Sequence, residues 1–154
     1  MHKILSIALL FAILAAPVAA RGEDDPPKTV VLDQAAKRML LGRHMLSLQW
    51  VSWDRFGRAD VVDRGGTLFI KGEQRSPEGD YLTVDGHITR VDKTSFTFRG
   101  KIVTRVSHIN NGEPCTRDGE LTFAIKGGRK YWRLQQMDNP CDPVTDYVDV
   151  YFRR

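Results

Sequence analysis

The sequence predicts an all-β fold: an eight-stranded antiparallel up-and-down meander barrel, with a short N-terminal helix capping one end and one disulfide. Three observations predict it. From His44 onward apolar and polar residues alternate with period two. Clusters of Gly, Pro, Asn and Asp interrupt that alternation at hairpin-length intervals. Two cysteines, Cys115 and Cys141, form an even count behind an export-type leader, which makes a bridge the default reading.

The leader comes first in the chain. Lys3 precedes an apolar run from Ile4 to Ala16, and small residues follow at Val18-Ala19-Ala20, the pattern of a secretory signal peptide over residues 1–20. At about 17 residues the stretch sits at the lower limit for spanning a bilayer. The mature chain is therefore expected to be exported, periplasmic or secreted, and not to span a membrane. No Cys follows the cleavage point, which argues against a lipid anchor.

Residues 21–31 carry both charges and two prolines, and read as a disordered lead-in before a single barrel domain at 32–154. Asp33 is placed to cap a helix, Ala35 to Leu40 are good helix formers, and Gly42 supplies a stop. Two turns of helix need something to pack on.

Strands are expected at about 44–53, 58–63, 67–73, 81–91, 95–108, 119–126, 130–137 and 146–152. The inward set is almost wholly apolar: Leu46, Leu48 and Trp50; Leu68 and Ile70; Leu82, Val84 and Ile88; Phe96, Phe98, Ile102 and Val106. It continues with Leu121, Phe123, Ile125, Trp132, Leu134, Val148, Val150 and Phe152. Gly72, Gly86 and Gly100 share the inward phase, where a missing side chain lets a strand bend. An opened sheet or a sandwich fits the same residues. Closure is preferred because it removes both edges.

In such a meander the loops after strands 1, 3, 5 and 7 share one end, so Cys115 and Cys141 meet there without rearrangement. Closing that loop stabilises the fold by about 3 kcal/mol in the chain-entropy model. The long loops frame a mouth, and the tight turns with the helix close a floor. This description resembles the calycin group, the eight-stranded barrels that include lipocalins and avidins, over residues 44–152. The resemblance is one of architecture. SLQWVSW on the first strand has Ser47 or Leu48 where lipocalins place a glycine before tryptophan, so what it implies is a barrel with an internal cavity, and no individual site residue.

Function is less legible. No nucleophile elbow, phosphate loop, zinc-binding helix or dinucleotide fingerprint occurs, so no catalytic residue, cofactor or metal is assigned. His87 and His108 face opposite ways, giving no shared metal face. Asp138, Asn139, Asp142 and Asp146 share one loop and could wrap calcium, although turn-forming Asp is the ordinary explanation. The net charge is +4, of which Lys3 leaves with the leader, far too slight to argue for nucleic acid.

Two surfaces remain. Trp50, Trp53, Tyr81, Thr104, His108, Gln136 and Tyr147 gather near the mouth, apolar bodies with isolated polar tips that suit a small, largely apolar ligand. Arg99, Lys101, Arg105 and Arg133 form a basic outer patch that could dock on an envelope protein or an anionic surface. The expected function is an exported, non-enzymatic binding protein that holds such a ligand in a barrel cavity, with a core filled by its own side chains as the plain alternative. The rival reading is an envelope protein-interaction module, such as an inhibitor of an extracellular enzyme, that uses the long loops or the basic outer face.

Overall fold

In a computed structural model that describes residues 25–153, the alternating segments form one sheet closed into an eight-stranded antiparallel barrel. The elements are β1 (Val30–Val31), α1 (Gln34–Leu40), β2 (Gly42–Leu48), β3 (Gly57–Arg64), β4 (Thr67–Arg75) and β5 (Tyr81–Val91). They continue with β6 (Ser95–Arg105), a single 3-10 turn at Asn110–Gly112, β7 (Cys115–Ala124), β8 (Tyr131–Leu134) and β9 (Val148–Tyr151). From β2 to β9 each strand pairs with the next, and β9 returns to β2 through Leu46↔Val150 and Leu48↔Val148. The barrel therefore has no free edge among these strands. The expected leader, residues 1–20, lies outside the described residues.

The inward phase is as the alternation requires. Leu46, Leu48, Leu68, Ile70, Leu82, Val84, Ile88, Phe96, Phe98, Ile102, Phe123, Trp132, Leu134, Val148 and Val150 are all buried, joined by Ala59 and Val61 of β3. Phe96 stacks on Phe123 at 4.9 Å between ring centroids, and Trp132 meets Phe96 edge-on at 5.9 Å. Side chains from all eight strands fill the axis, with the spacing aromatic rings prefer.

Bending comes from a row of glycines. Gly86 pairs with Gly100 and Gly100 with Gly119, side by side across β5, β6 and β7. A Cβ on Gly86 would lie 2.3 Å from the Arg99 carbonyl oxygen, and one on Gly100 2.3 Å from that of Asp85. Only glycine permits this approach, and the Phe98 ring lies against both. On the outer surface the row Arg43, Asp60, Lys71, Asp85, Lys101, Asp118 runs across β2 to β7 with alternating charge. Arg43–Asp60, Lys71–Asp85 and Lys101–Asp118 approach to 3.1, 3.4 and 3.5 Å.

The helix closes the floor as expected. Asp33 accepts the Ala36 amide at 2.7 Å, Ala36 and Leu40 enter the core, and Lys37 reaches Asp63 at 2.7 Å beside the tight β3–β4 turn. His44 holds the helix end, its ring nitrogens 2.6 Å from the Leu40 oxygen and 2.8 Å from that of Tyr151.

The differences from expectation lie at element ends. Order begins earlier than the lead-in reading allows. The Thr29 hydroxyl donates to the Ile88 carbonyl at 2.6 Å and accepts the Leu68 amide at 2.9 Å. β1 then pairs in parallel with Arg90 and Val91, beyond the point where β4 stops pairing with β5. Two prolines and mixed charge hid a segment held by backbone groups and one hydroxyl. The first barrel strand ends at Leu48 and not at residue 53, because the amides of Val51 and Ser52 turn back to the Leu48 carbonyl. The fifth ends at Arg105, where Asp80 accepts the Ser107 amide at 2.8 Å. β7 begins earlier than expected, at Cys115, whose alignment with Thr104 carries the ladder into the mouth.

Candidate functional site

At the long-loop end, the chain after β2 and the loop between β8 and β9 enclose an open crevice of about 440 Å³. It is lined by Gln49, Trp50, Trp53, Val144, Thr145 and Tyr147. Three of the seven expected ligand-binding residues, Trp50, Trp53 and Tyr147, come together here. The reason is the early end of β2: the turn at Leu48 swings Trp50 off the barrel axis and onto the rim. Trp53 is 72% exposed.

Each wall is tied down. The Gln49 amide bridges the loops, its Nε2 donating to the Thr145 carbonyl at 2.7 Å and its Oε1 accepting the Tyr147 amide at 2.8 Å. The Trp50 indole N–H points to the Asp146 carboxylate at 3.1 Å and the Thr145 carbonyl at 3.2 Å. Tyr147 packs under the Arg133 guanidinium at 4.1 Å. Arg133 is in turn fixed by two 2.7 Å hydrogen bonds to the buried Asp149, a pairing that raises the guanidinium pKa and keeps it charged. At the rim the Ser52 hydroxyl donates to Asp54 at 2.7 Å and holds that carboxyl below its usual range.

Beneath the crevice is a buried polar cluster. Arg117 Nη1 lies 2.9 Å from Asp146 Oδ2, with side chains 5% and 1% exposed. Asn139 donates to the same carboxylate at 3.0 Å, and Arg117 Nη2 donates to the Asp138 carbonyl at 2.9 Å. The disulfide Cys115–Cys141 joins this loop to the start of β7, with Cα atoms 6.0 Å apart. The acidic loop thus spends its groups internally: Asp142 accepts the Asn110 amide, and Asn139 accepts those of Cys141 and Asp142. Among the described residues no group of three or more His, Cys, Asp or Glu is placed to hold a metal ion.

The other expected site residues lie elsewhere. His108 is exposed and meets Trp50 in a T-shaped contact at 6.0 Å; it does not face the interior, because the strand has ended before it. Thr104 faces inward but is buried between Leu82 and Cys115. Tyr81 lies on the outer face beneath the Arg75 guanidinium at 5.3 Å. Gln136 accepts the Thr122 amide at 3.0 Å, extending the β7–β8 pairing. Sequence reasoning missed Gln49, Val144 and Thr145 as lining residues. Their signal was proximity to the tryptophans on one side and to Cys141 on the other.

Three of the four cations of the expected basic patch are engaged by neighbouring groups. Lys101 pairs with Asp118, Arg133 belongs to Asp149, and Arg105 donates to the Gly112 and Gly79 carbonyls at 2.9 and 3.3 Å. Arg99 stands opposite His87 and Glu120. His87 is pushed down in pKa by burial and by Arg99, and its ring tilts against Phe69. Phe69 with Val62, Arg64, Lys71 and Asp85 lines a broad outer groove of about 880 Å³ on β3 to β5, where opposite charges alternate.

The family model described as PM1083 family matches residues 28–152, from just before β1 to just after β9. A protein of Pasteurella multocida (strain Pm70), "Uncharacterized protein PM1083", is 42% identical over 150 residues, covering 97% of this chain and 95% of that one. No solved structure matches the chain. With the family match spanning the whole barrel and identity holding along its length, this chain belongs to the PM1083 family.

Proposed function

We propose that the protein is an exported, non-enzymatic binding protein that holds a small, largely apolar ligand in the crevice of Trp50, Trp53 and Tyr147. The observation that carries this reading is the crevice itself, in which three aromatic side chains from two distant segments meet beside Val144. Aromatic bodies with a few polar tips are the usual lining of a small-molecule site. The barrel axis is filled by side chains, so the reading places the ligand at the rim and not in the calycin-like interior cavity that the fold resemblance suggested. Export is supported by the leader pattern of residues 1–20 and by a disulfide, which persists in oxidising compartments. Titration with the neutral fluorophore N-phenyl-1-naphthylamine tests the reading. Saturable binding that Trp53→Ala or Tyr147→Ala weakens supports it, and binding indifferent to both changes contradicts it.

A second reading, an envelope protein-interaction module, is favoured by a different observation. Phe56, Tyr151 and Tyr131 meet in sequence at ring-centroid separations of 5.3 and 5.2 Å, and the Arg133 guanidinium lies 5.1 Å from the Tyr131 ring and 4.1 Å from that of Tyr147, a continuous run on and beside β8 and β9. Tyr and Arg are the residues that dominate protein interfaces. On this reading a stoichiometric partner is retained after Trp50→Ala and lost after Phe56→Ala with Tyr151→Ala.

A further inference from the structure

The Arg117–Asp146 pair stands out because burying two charges is a poor way to gain stability. Apolar residues of similar volume often serve as well or better. Here the carboxylate has three partners from three parts of the chain: the Trp50 N–H, the Asn139 amide and Arg117 on β7. Arg117 Nη1 approaches Oδ2 without hydrogen-bond alignment, while Nη2 is committed to the Asp138 carbonyl. The guanidinium thus serves two ends of the 138–146 loop at once, and the loop cannot shift without breaking one of them.

We propose that Asp146, held by Arg117, is the positioning residue of the crevice: it fixes the Trp50 indole as a preset wall. The inference rests on the crevice being the binding site. Trp50 sits in a turn, where its ring would otherwise sample several rotamers, and ordering it on binding would cost affinity. Oδ1 lowers that cost by accepting the indole N–H, which it shares with the Thr145 carbonyl, and the ring is left against His108 and facing the crevice. The Cys115–Cys141 bridge and the Asn110 amide on Asp142 anchor the same loop from its other side. Asp146 contacts no ligand in this arrangement; it acts through Trp50.

The test uses protein labelled with 5-fluorotryptophan, whose three resonances are those of Trp50, Trp53 and Trp132, together with the N-phenyl-1-naphthylamine titration. In Arg117→Met with Asp146→Leu the buried pair becomes apolar. The Trp132 resonance should stay in place while that of Trp50 broadens or moves, and probe affinity should fall about tenfold. Asp146→Asn leaves the buried Arg117 without its counter-charge and lowers stability, but it keeps an acceptor oxygen for the indole, so the folded protein should bind the probe within about threefold of the parent. An unchanged Trp50 resonance and unchanged affinity in the double variant overturn the proposal, as does an Asp146→Asn protein as impaired as the double variant. If the double variant unfolds, which a collapsed Trp132 resonance reports, Asn139→Ala takes its place with the same expected direction. Absence of probe binding to the parent protein counts against the crevice reading alone, and the Trp50 resonance then decides the positioning role by itself.

Discussion

Trp53 and Trp132 mark the two extremes of an aromatic residue in this fold. Trp132 is buried against His44, Phe96 and Phe152, and its truncation to Ala should cost about 3–5 kcal/mol in denaturant unfolding. Trp53 is mostly exposed, so Trp53→Ala should leave stability within about 0.5 kcal/mol while removing a wall of the crevice. Their difference was legible only in part. Alternation assigns Trp132 correctly, because β8 is regular there; it says nothing reliable about Trp50 and Trp53, because the strand had ended. At the floor, Asp63 has its pKa lowered by Lys37 and by the Gly66 amide. A depressed folded pKa contributes stability above the unfolded value that disappears as pH falls through the folded one. Asp63→Asn should therefore flatten the loss of stability below about pH 4, measured by chemical unfolding against pH. An Asp63→Asn protein with the parent's acid profile would show that the Lys37 contact is inconsequential.

At the scale of elements, the strands were legible wherever burial on one face enforced period two, which is why the inward residues of β4, β5 and β6 were identified correctly. The helix was legible from its cap and its stop. Ends were not, because they are decided by single hydrogen bonds between distant segments: Asp80 to Ser107, Leu48 to the Val51 amide, Thr29 to Leu68 and Ile88. Thr29 gives the sharpest test. Thr29→Val keeps the shape but leaves two buried backbone groups without their partner, and should destabilise the protein by about 2 kcal/mol. A neutral result would mean that β1 adds nothing to the barrel. The bridge was legible from topology, since both cysteines fall at the same end of an up-and-down meander. Replacing Cys115 and Cys141 by Ser should cost about 3 kcal/mol, read from the same unfolding curves under oxidising conditions.

Over the whole molecule, closure divides the work between two ends. The floor is short turns, the helix and the N-terminal segment, and it is spent on closing the core. The mouth carries the longer loops, the disulfide and the buried Arg117–Asp146 pair, and it holds the crevice. This polarity was legible from loop lengths, whereas the location of the pocket was not. The sequence leaves the apolar interior open between a ligand cavity and a filled core, and the core is filled, because an eight-stranded barrel is just wide enough for its own side chains. Four phenyl and indole rings, Phe96, Phe98, Phe123 and Trp132, close that space with the aliphatic side chains around them, and Trp50, Trp53 and Tyr147 converge outside it. Of the expected basic patch, Lys101 falls into the outer charge row opposite Asp118 and Arg133 is paired with Asp149. The most direct measurement is an amide and indole NMR titration with N-phenyl-1-naphthylamine. Shifts confined to Gln49, Trp50, Trp53, Val144, Thr145 and Tyr147 are the predicted result; shifts centred on Phe98 and Ile102 along the axis, or on Val62 and Phe69 of the outer groove, would contradict it.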